Sequence, residues 1–177
     1  DYDTIQQAID ALGDGDVITV APGTYAETID TRGKAVVIQG AGADLTIIDG
    51  TGFGTSVVSI ISGETETTAL RDLTIENGLA EAGGALQVVQ ASPTLHGVVF
   101  RGNAAWTFGG GVFVAQQTVG PVVFRDCQFE ANTAYGSGGG LAVFLGEAEL
   151  DGCLFQDNQA SEYGGGLAAL EASLVSV

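Results

Sequence analysis

Four segments of the chain carry the same order of apolar and polar positions: LRDLTI (70–75), LHGVVF (95–100), FRDCQF (124–129) and LDGCLF (150–155). Leu73, Val98, Cys127 and Cys153 share one column, and Ile75, Phe100, Phe129 and Phe155 share another two positions on. Two-residue alternation turns both columns to one face of a strand, the inward one. The column between them, Thr74, Val99, Gln128 and Leu154, is mixed in polarity and reads as outward. An asparagine follows each strand (Asn77, Asn103, Asn132, Asn158), at separations of 26, 29 and 26 residues. Six residues after each Asn stands a glycine block, beginning at Gly83, Gly109, Gly138 and Gly164. The blocks lead into ALQVV (85–89), GVFVA (111–115), GLAVF (140–144) and GLAAL (166–170), a second strand per copy. The first copy is one residue shorter between Ile75 and Asn77, and the longer step is placed in the Gln116–Pro121 region.

A repeat of this length with short strands and no helical period predicts one turn of a parallel β-solenoid. Coils stacked about 4.8 Å apart place equivalent residues in ladders. Phe100, Phe129 and Phe155 then form an inward ladder, and Asn103, Asn132 and Asn158 an inward amide ladder at a turn. Glycine at the next bend permits positive φ and close backbone approach.

The first half fits the same scheme. Ile5, Ala8, Ile9 and Leu12 recur at helical spacing, with Asp3 as candidate N-cap and Gly13 as the stop. Such a helix would cover the open core of the first coil. Strand-like segments follow at 17–29, 34–42, 45–50 and 57–61, separated by Gly, Pro and Asp turns. The segment 173–177, SLVSV, reads as the next strand beginning, with Leu174 in the column of Leu150. The expected organisation is one all-β domain over 1–177, a right-handed parallel β-helix of about six coils. Residues 1–16 form a cap, 17–69 the irregular first coils and 70–177 the repeats.

Composition narrows the function. Acids outnumber bases 22 to 5, for a formal charge of −17. Five bases cannot supply the clustered cations that nucleic acid or an anionic membrane surface requires. No apolar run approaches the roughly 20 residues of a bilayer-spanning helix. With no Met and no signal peptide, the sequence reads as a mature or excised piece of a longer protein.

Candidate chemistry is sparse. Asp14 and Asp16 in GDGD, and Glu64 with Glu66, offer oxygen ligands to calcium; none has the ligand number or spacing of a defined loop, and solvated turns are the simpler reading. No other cofactor is expected. His96 is the only histidine, which leaves a triad or His-based metal site little to build on. Cys127 and Cys153 fall in adjacent coils, where Cα atoms about 5 Å apart lie inside the disulfide range. Parallel side-chain vectors favour two buried thiols instead. Trp106 and Tyr135 share a repeat position, and Tyr163 precedes its glycine block as Phe108 does. These four read either as an exposed binding stripe for carbohydrate or protein, or as covers of the turn backbone packed on neighbouring loops.

Ile5–Asp10, Ala21–Tyr25 and Ile38–Gly42 resemble the N-terminal part of parallel β-helix proteins of the pectin-lyase-like superfamily. Phe100–Asn103, Phe129–Asn132 and Phe155–Asn158 are similar to the FxxN repeats of the polymorphic outer membrane proteins of chlamydiae and related bacterial surface proteins. Gly83–Leu86 matches their GGA[ILV] motif, and the other three copies have Gly for Ala. The resemblance implies a β-helix at the cell surface or outside the cell. In lyases of the superfamily it implies calcium-binding carboxylates near an Arg or Lys base; in its hydrolases, paired Asp with His and Arg-x-Lys. Arg32-Gly33-Lys34 has that last spacing, but the sequence holds no Asp-Asp pair and His96 lies far off, so the match reads as accidental. Arg71, His96 and Arg125 fall in one outward column with Asp72 and Asp126 beside it, either a functional stripe or solvated positions. The leading expectation is a non-catalytic stalk, adhesive or self-assembling segment. It would meet a surface protein, a carbohydrate or, through the last coil's unpaired edges, a second copy. The alternative is part of a lyase-like carbohydrate-active enzyme whose catalytic site is absent or beyond residue 177.

Overall fold

The computed structural model describes residues 1–117 and 119–177. Four parallel sheets, here A to D, wind into a solenoid of about six coils. Sheet A holds Val17–Thr19, Val37–Gln39, Ala69–Arg71, Thr94–His96, Val122–Arg125, Glu147–Asp151 and Leu174–Ser176. Sheet B holds Gly23–Tyr25, Thr46–Asp49, Thr74–Glu76, Val99–Arg101, Gln128–Glu130 and Leu154–Gln156. Sheet C holds Ile29–Asp30, Val58–Ile60, Leu86–Val89, Val112–Ala115, Leu141–Phe144 and Leu167–Leu170. Sheet D is four two-residue strands, Leu79–Ala80, Ala104–Ala105, Thr133–Ala134 and Gln159–Ala160, between B and C in the later coils.

One apolar core runs the length of the solenoid. Phe100, Phe124 and Phe129 are fully buried, and Phe100 stacks on Phe129 with centroids 5.0 Å apart. Leu73, Val98 and Cys127 are buried as expected, at the turn joining sheets A and B. In the column predicted outward, Gln128 and Leu154 are exposed, but Thr74 is buried, its hydroxyl donating to Ala43 O at 2.8 Å.

The amide ladder forms from Asn103, Asn132 and Asn158. Asn132 Nδ2 donates to Phe100 O at 2.8 Å and Asn158 Oδ1 at 3.0 Å, while its Oδ1 accepts from Asn103 N and Nδ2, both at 3.0 Å. Asn77 is outside it. Register pairs Ile75 with Phe100 and Leu79 with Ala104, so Gly78 occupies the rung and its N–H donates to Asn103 Oδ1. The residue missing from this copy lies instead between Ala80 and Leu86, because Leu86 pairs with Val112.

The glycine blocks need their composition. A Cβ on Gly110 would meet Thr133 O at 2.4 Å and Gly139 O at 2.5 Å, closer than a carbon can approach. The longer step does lie between Ala115 and Val122; Thr118 within it is outside the described residues. Leu174 pairs with Glu147, not Leu150, and is exposed. The turn Glu171–Ser173 is one residue longer than Leu145–Gly146, which shifts the strand and leaves Val175 packed on the core.

The helix Ile5–Ala11 buries Ile5, Ala8 and Ile9 on the first coil. Thr4, not Asp3, is its N-cap, because the Thr4 hydroxyl accepts from Gln7 N; Leu12, ahead of Gly13, is the C-cap. Glu27 accepts the N–H groups of Ile5 and Gln6, both at 2.9 Å. At the other end Lys34 Nζ donates to the carbonyls of Ile9, Asp10 and Leu12. Both orphaned ends of the helix are thus held by charges of the sign its dipole favours.

Candidate functional site

Along sheet A, Leu70, Leu95, Phe124 and Leu150 point into the core, so the residue after each points out. Strand register aligns those outward residues as Gln39, Arg71, His96, Arg125 and Asp151, one per coil. The next position alternates Asp72, Gly97, Asp126, Gly152, all at φ between 51° and 64°. The alternation matters. A Cβ on Gly97 would stand 2.5 Å from Asp72 Oδ1, and one on Gly152 equally close to Asp126 Oδ1. Glycine on every second rung leaves the room into which each carboxylate leans.

His96 consequently sits between two acids. Its Nδ1 is 3.8 Å from Asp72 Oδ1 and its Nε2 3.6 Å from Asp126 Oδ2, with all three side chains substantially exposed. Gln39 Nε2 fixes Asp72 from the other side, donating to Oδ2 at 2.8 Å.

The five bases divide sharply. Arg32 pairs with Asp10 at 3.0 Å, Lys34 caps the helix, and Arg101 pairs with Glu76 at 2.7 Å. Among the described residues, Arg71 and Arg125 have no ion pair and no side-chain hydrogen bond. Both flank His96 on the same ladder. Arg125 and Asp151 also line a shallow depression of about 200 Å³ with Val123, Glu149 and Ser176. Two available guanidiniums can hold carboxylates, the acids and Gln39 can bind hydroxyls, and an imidazole between carboxylates can accept a proton.

The other candidates are dispersed. Asp14 accepts from Ala35 N and Asp16 from Gly13 N, each serving a turn. Glu64 is buried, bound to Thr31 Oγ1 and the N–H groups of Gly33 and Ser62, and so is no solvated ligand. Among the described residues no three His, Cys, Asp or Glu side chains converge as metal ligands. Arg32-Gly33-Lys34 is spent on the helix, distant from His96 in the coil order.

The aromatic residues split. Trp106 and Tyr135 stack with centroids 5.0 Å apart and planes 16° from parallel, 54% and 56% exposed. Phe108 leans on Phe113 and Phe144 of sheet C, both at 6.1 Å, covering the turn. Tyr163 is 70% exposed and two coils from Phe108, with Ser137 on the rung between. Cys127 is a buried thiol, and Cys153 a half-buried one. A hydrogen bond from Cys127 brings Cys153 down to about 7, while that bond and burial push Cys127 up. Sequence reasoning missed Gln39, whose role depends on register alone, and the Asp–Gly alternation, although the four aligned segments display it.

The coiled sheets form a parallel β-helix, and the solved structures that resemble it share that fold. A crystal structure of pectin methylesterase in complex with a hexasaccharide has a TM-score of 0.56 to this chain at 16% identity. The match covers 89% of this chain and 63% of that one, so this chain spans less than two thirds of that protein's length. Pectin methylesterase from carrot matches with a TM-score of 0.46 and 14% identity, over 93% of this chain and 80% of its own. That of Aspergillus niger matches at 0.36 and 13%, over 95% and 82%. No protein-family model and no curated protein matches the chain. The likeness is to β-helix enzymes, and nothing in it supports the stalk or adhesive role or the polymorphic outer membrane protein repeats.

Proposed function

We propose that this chain is the polysaccharide-holding segment of an extracellular carbohydrate-active β-helix protein. An acidic polymer lies along the outer face of sheet A, and the groups that break its bonds stand outside these residues. The observation that carries the reading is the pair of unpartnered guanidiniums, Arg71 and Arg125, one rung either side of His96 in a chain whose other bases are all engaged. Rungs recur about every 4.8 Å, a spacing comparable with the length of one sugar ring, so successive acidic sugars can meet successive rungs. Asp72, Asp126 and Gln39 supply acceptors and a donor for ring hydroxyls. The saccharide-bound neighbour supports the fold's suitability for such a ligand. The stalk, adhesive and self-stacking reading draws on the repeat resemblance, the exposed aromatics and the last coil's unpaired edges, and none of these is specific to a partner.

The test is electrophoresis through gels containing polygalacturonate or neutral dextran, at an ionic strength where a Debye length of about 8 Å screens the chain's distant acids. Polygalacturonate should retard the protein and dextran should not. Arg71→Ala with Arg125→Ala should remove the retardation while the circular dichroism stays that of the parent. Equal retardation by both polymers, or by parent and double variant, overturns the proposal. Unsaturated product released from polygalacturonate, or methanol released from its methyl-esterified form, by the purified chain would overturn the placement of catalysis elsewhere.

A further inference from the structure

The corner between sheets D and C has the opposite character to sheet A. Register carries Trp106 onto Tyr135 through the pairs Ala105–Ala134 and Ala134–Ala160, so the next rung of that column is Ser161. On the other side the column begins at Glu81, which follows Ala80 as Trp106 follows Ala105. One face of the Tyr135 ring is covered by Trp106, and the other looks over Ser161, too short to cover it. Glu162 follows Ser161 in the chain, and its Oε2 lies 3.5 Å from Ser137 Oγ, two residues beyond Tyr135. Every base of the chain is accounted for elsewhere, so neither Glu81 nor Glu162 has a cationic partner among the described residues.

We infer that this corner docks an arginine side chain of a basic partner protein, which lies on the open face of Tyr135 as the next rung of the aromatic ladder. Two observations select that occupant. The negative face of an aromatic ring attracts a cation, and a guanidinium is planar enough to continue a stack. Glu162, next in the chain to the open rung, and the −17 charge of the whole chain add complementarity that a neutral or acidic sugar would not use. The surface is separate from the Arg71–Arg125 ladder, and its test does not depend on that proposal.

Trp106 is the only tryptophan, so its fluorescence reports this corner directly. The probe is an arginine-rich decapeptide without aromatics, compared with a lysine peptide of equal charge and a neutral hexasaccharide. The arginine peptide should change the emission saturably, the lysine peptide more weakly and the hexasaccharide not at all. Tyr135→Ala should weaken binding about three- to fivefold. Ser161→Tyr, which fills the open rung, should weaken it similarly without lowering the melting temperature, and so separates docking from folding. Glu162→Gln should cost about twofold. Binding as tight in Tyr135→Ala and in Ser161→Tyr as in the parent would reduce the interaction to bulk charge and overturn the inference. An equal response to the hexasaccharide would overturn it in favour of a sugar platform.

Discussion

Phe129 and Phe155 stack with ring centroids 4.4 Å apart and planes 1° from parallel, although 26 residues of chain separate them. Isolated aromatic pairs prefer offset or edge-on contacts to a parallel sandwich. Here strand register sets the geometry, because Phe129 pairs with Phe155 and neighbouring coils about 4.8 Å apart hold the two rings within stacking distance. Rungs of the solenoid therefore impose their spacing on whatever side chains they carry.

Phe129 touches Phe100, Phe124 and Phe155, and is fully buried. Phe129→Ala should therefore cost about 3–5 kcal/mol in urea unfolding. Phe155→Ala, at a half-buried site, should cost clearly less. Equal losses would mean that the ladder, and not burial at its centre, sets the contribution.

Asn132 satisfies buried groups on both neighbouring coils. Asn132→Ala strands the N–H of Asn103, worth about 1–3 kcal/mol when buried without a partner, and takes from Phe100 O the second donor it has beside its strand partner. Asn132→Ala should therefore destabilise more than Asn158→Ala, whose site is less enclosed. Asn77→Ala should cost less than either, since Gly78 holds that rung and Asn77 contributes only an exposed bond to Asp49 and its tolerance of a φ of 58°. Chemical denaturation of the three variants ranks them.

The N-terminal helix is too short to persist alone, so its held ends decide its order. Glu27→Ala removes acceptors from two N-terminal amides, and Lys34→Met removes donors from three C-terminal carbonyls. Each should destabilise by about 1–2 kcal/mol. Hydrogen exchange should rise first over Ile5–Ala11, with the amides of sheets A to C protected. Uniform loss of protection across the coils would show instead that the cap nucleates the whole solenoid.

The inward columns were legible because burial acts on every copy alike: Phe100, Phe129 and Phe155 stand at one register, and no alternative phase keeps all three inside. Asn77 misled because residue identity outweighed spacing; only the pairing of Ile75 with Phe100 shows Gly78 on the rung. Leu174 misled because only pairing fixes that strand: it meets Glu147, three positions before Leu150, and the longer preceding turn accounts for one of the three. For the polar face, the column of Arg71, His96 and Arg125 could be read directly. That Asp72 and Asp126 reach His96 could not, because it depends on left-handed turns and the space above Gly97 and Gly152. Glu64 was unreadable as a buried staple, since its partners Thr31 and Gly33 sit one coil away.

Cys153 and Cys127 differ in reactivity because one hydrogen bond serves them unequally. Cys127 donates, which stabilises the Cys153 thiolate near about 7 and raises its own titration, with burial adding to the rise. In the unfolded chain both thiols titrate near their ordinary value of about 8.5. Between those two values the unfolded state binds the extra proton, so Cys153 adds stability that is fully present above the unfolded value and is lost as pH falls through about 7. Iodoacetamide should therefore label the native protein once, at Cys153, with a rate that is half-maximal near pH 7. Cys127 should react only after denaturation. In Cys127→Val the donor is gone, and the midpoint for Cys153 should move up toward the ordinary thiol range. Mass spectrometry of the labelled protein across pH measures both, and an unmoved midpoint in Cys127→Val would assign the lowered value to the backbone amide and carbonyl dipoles around Cys153 instead.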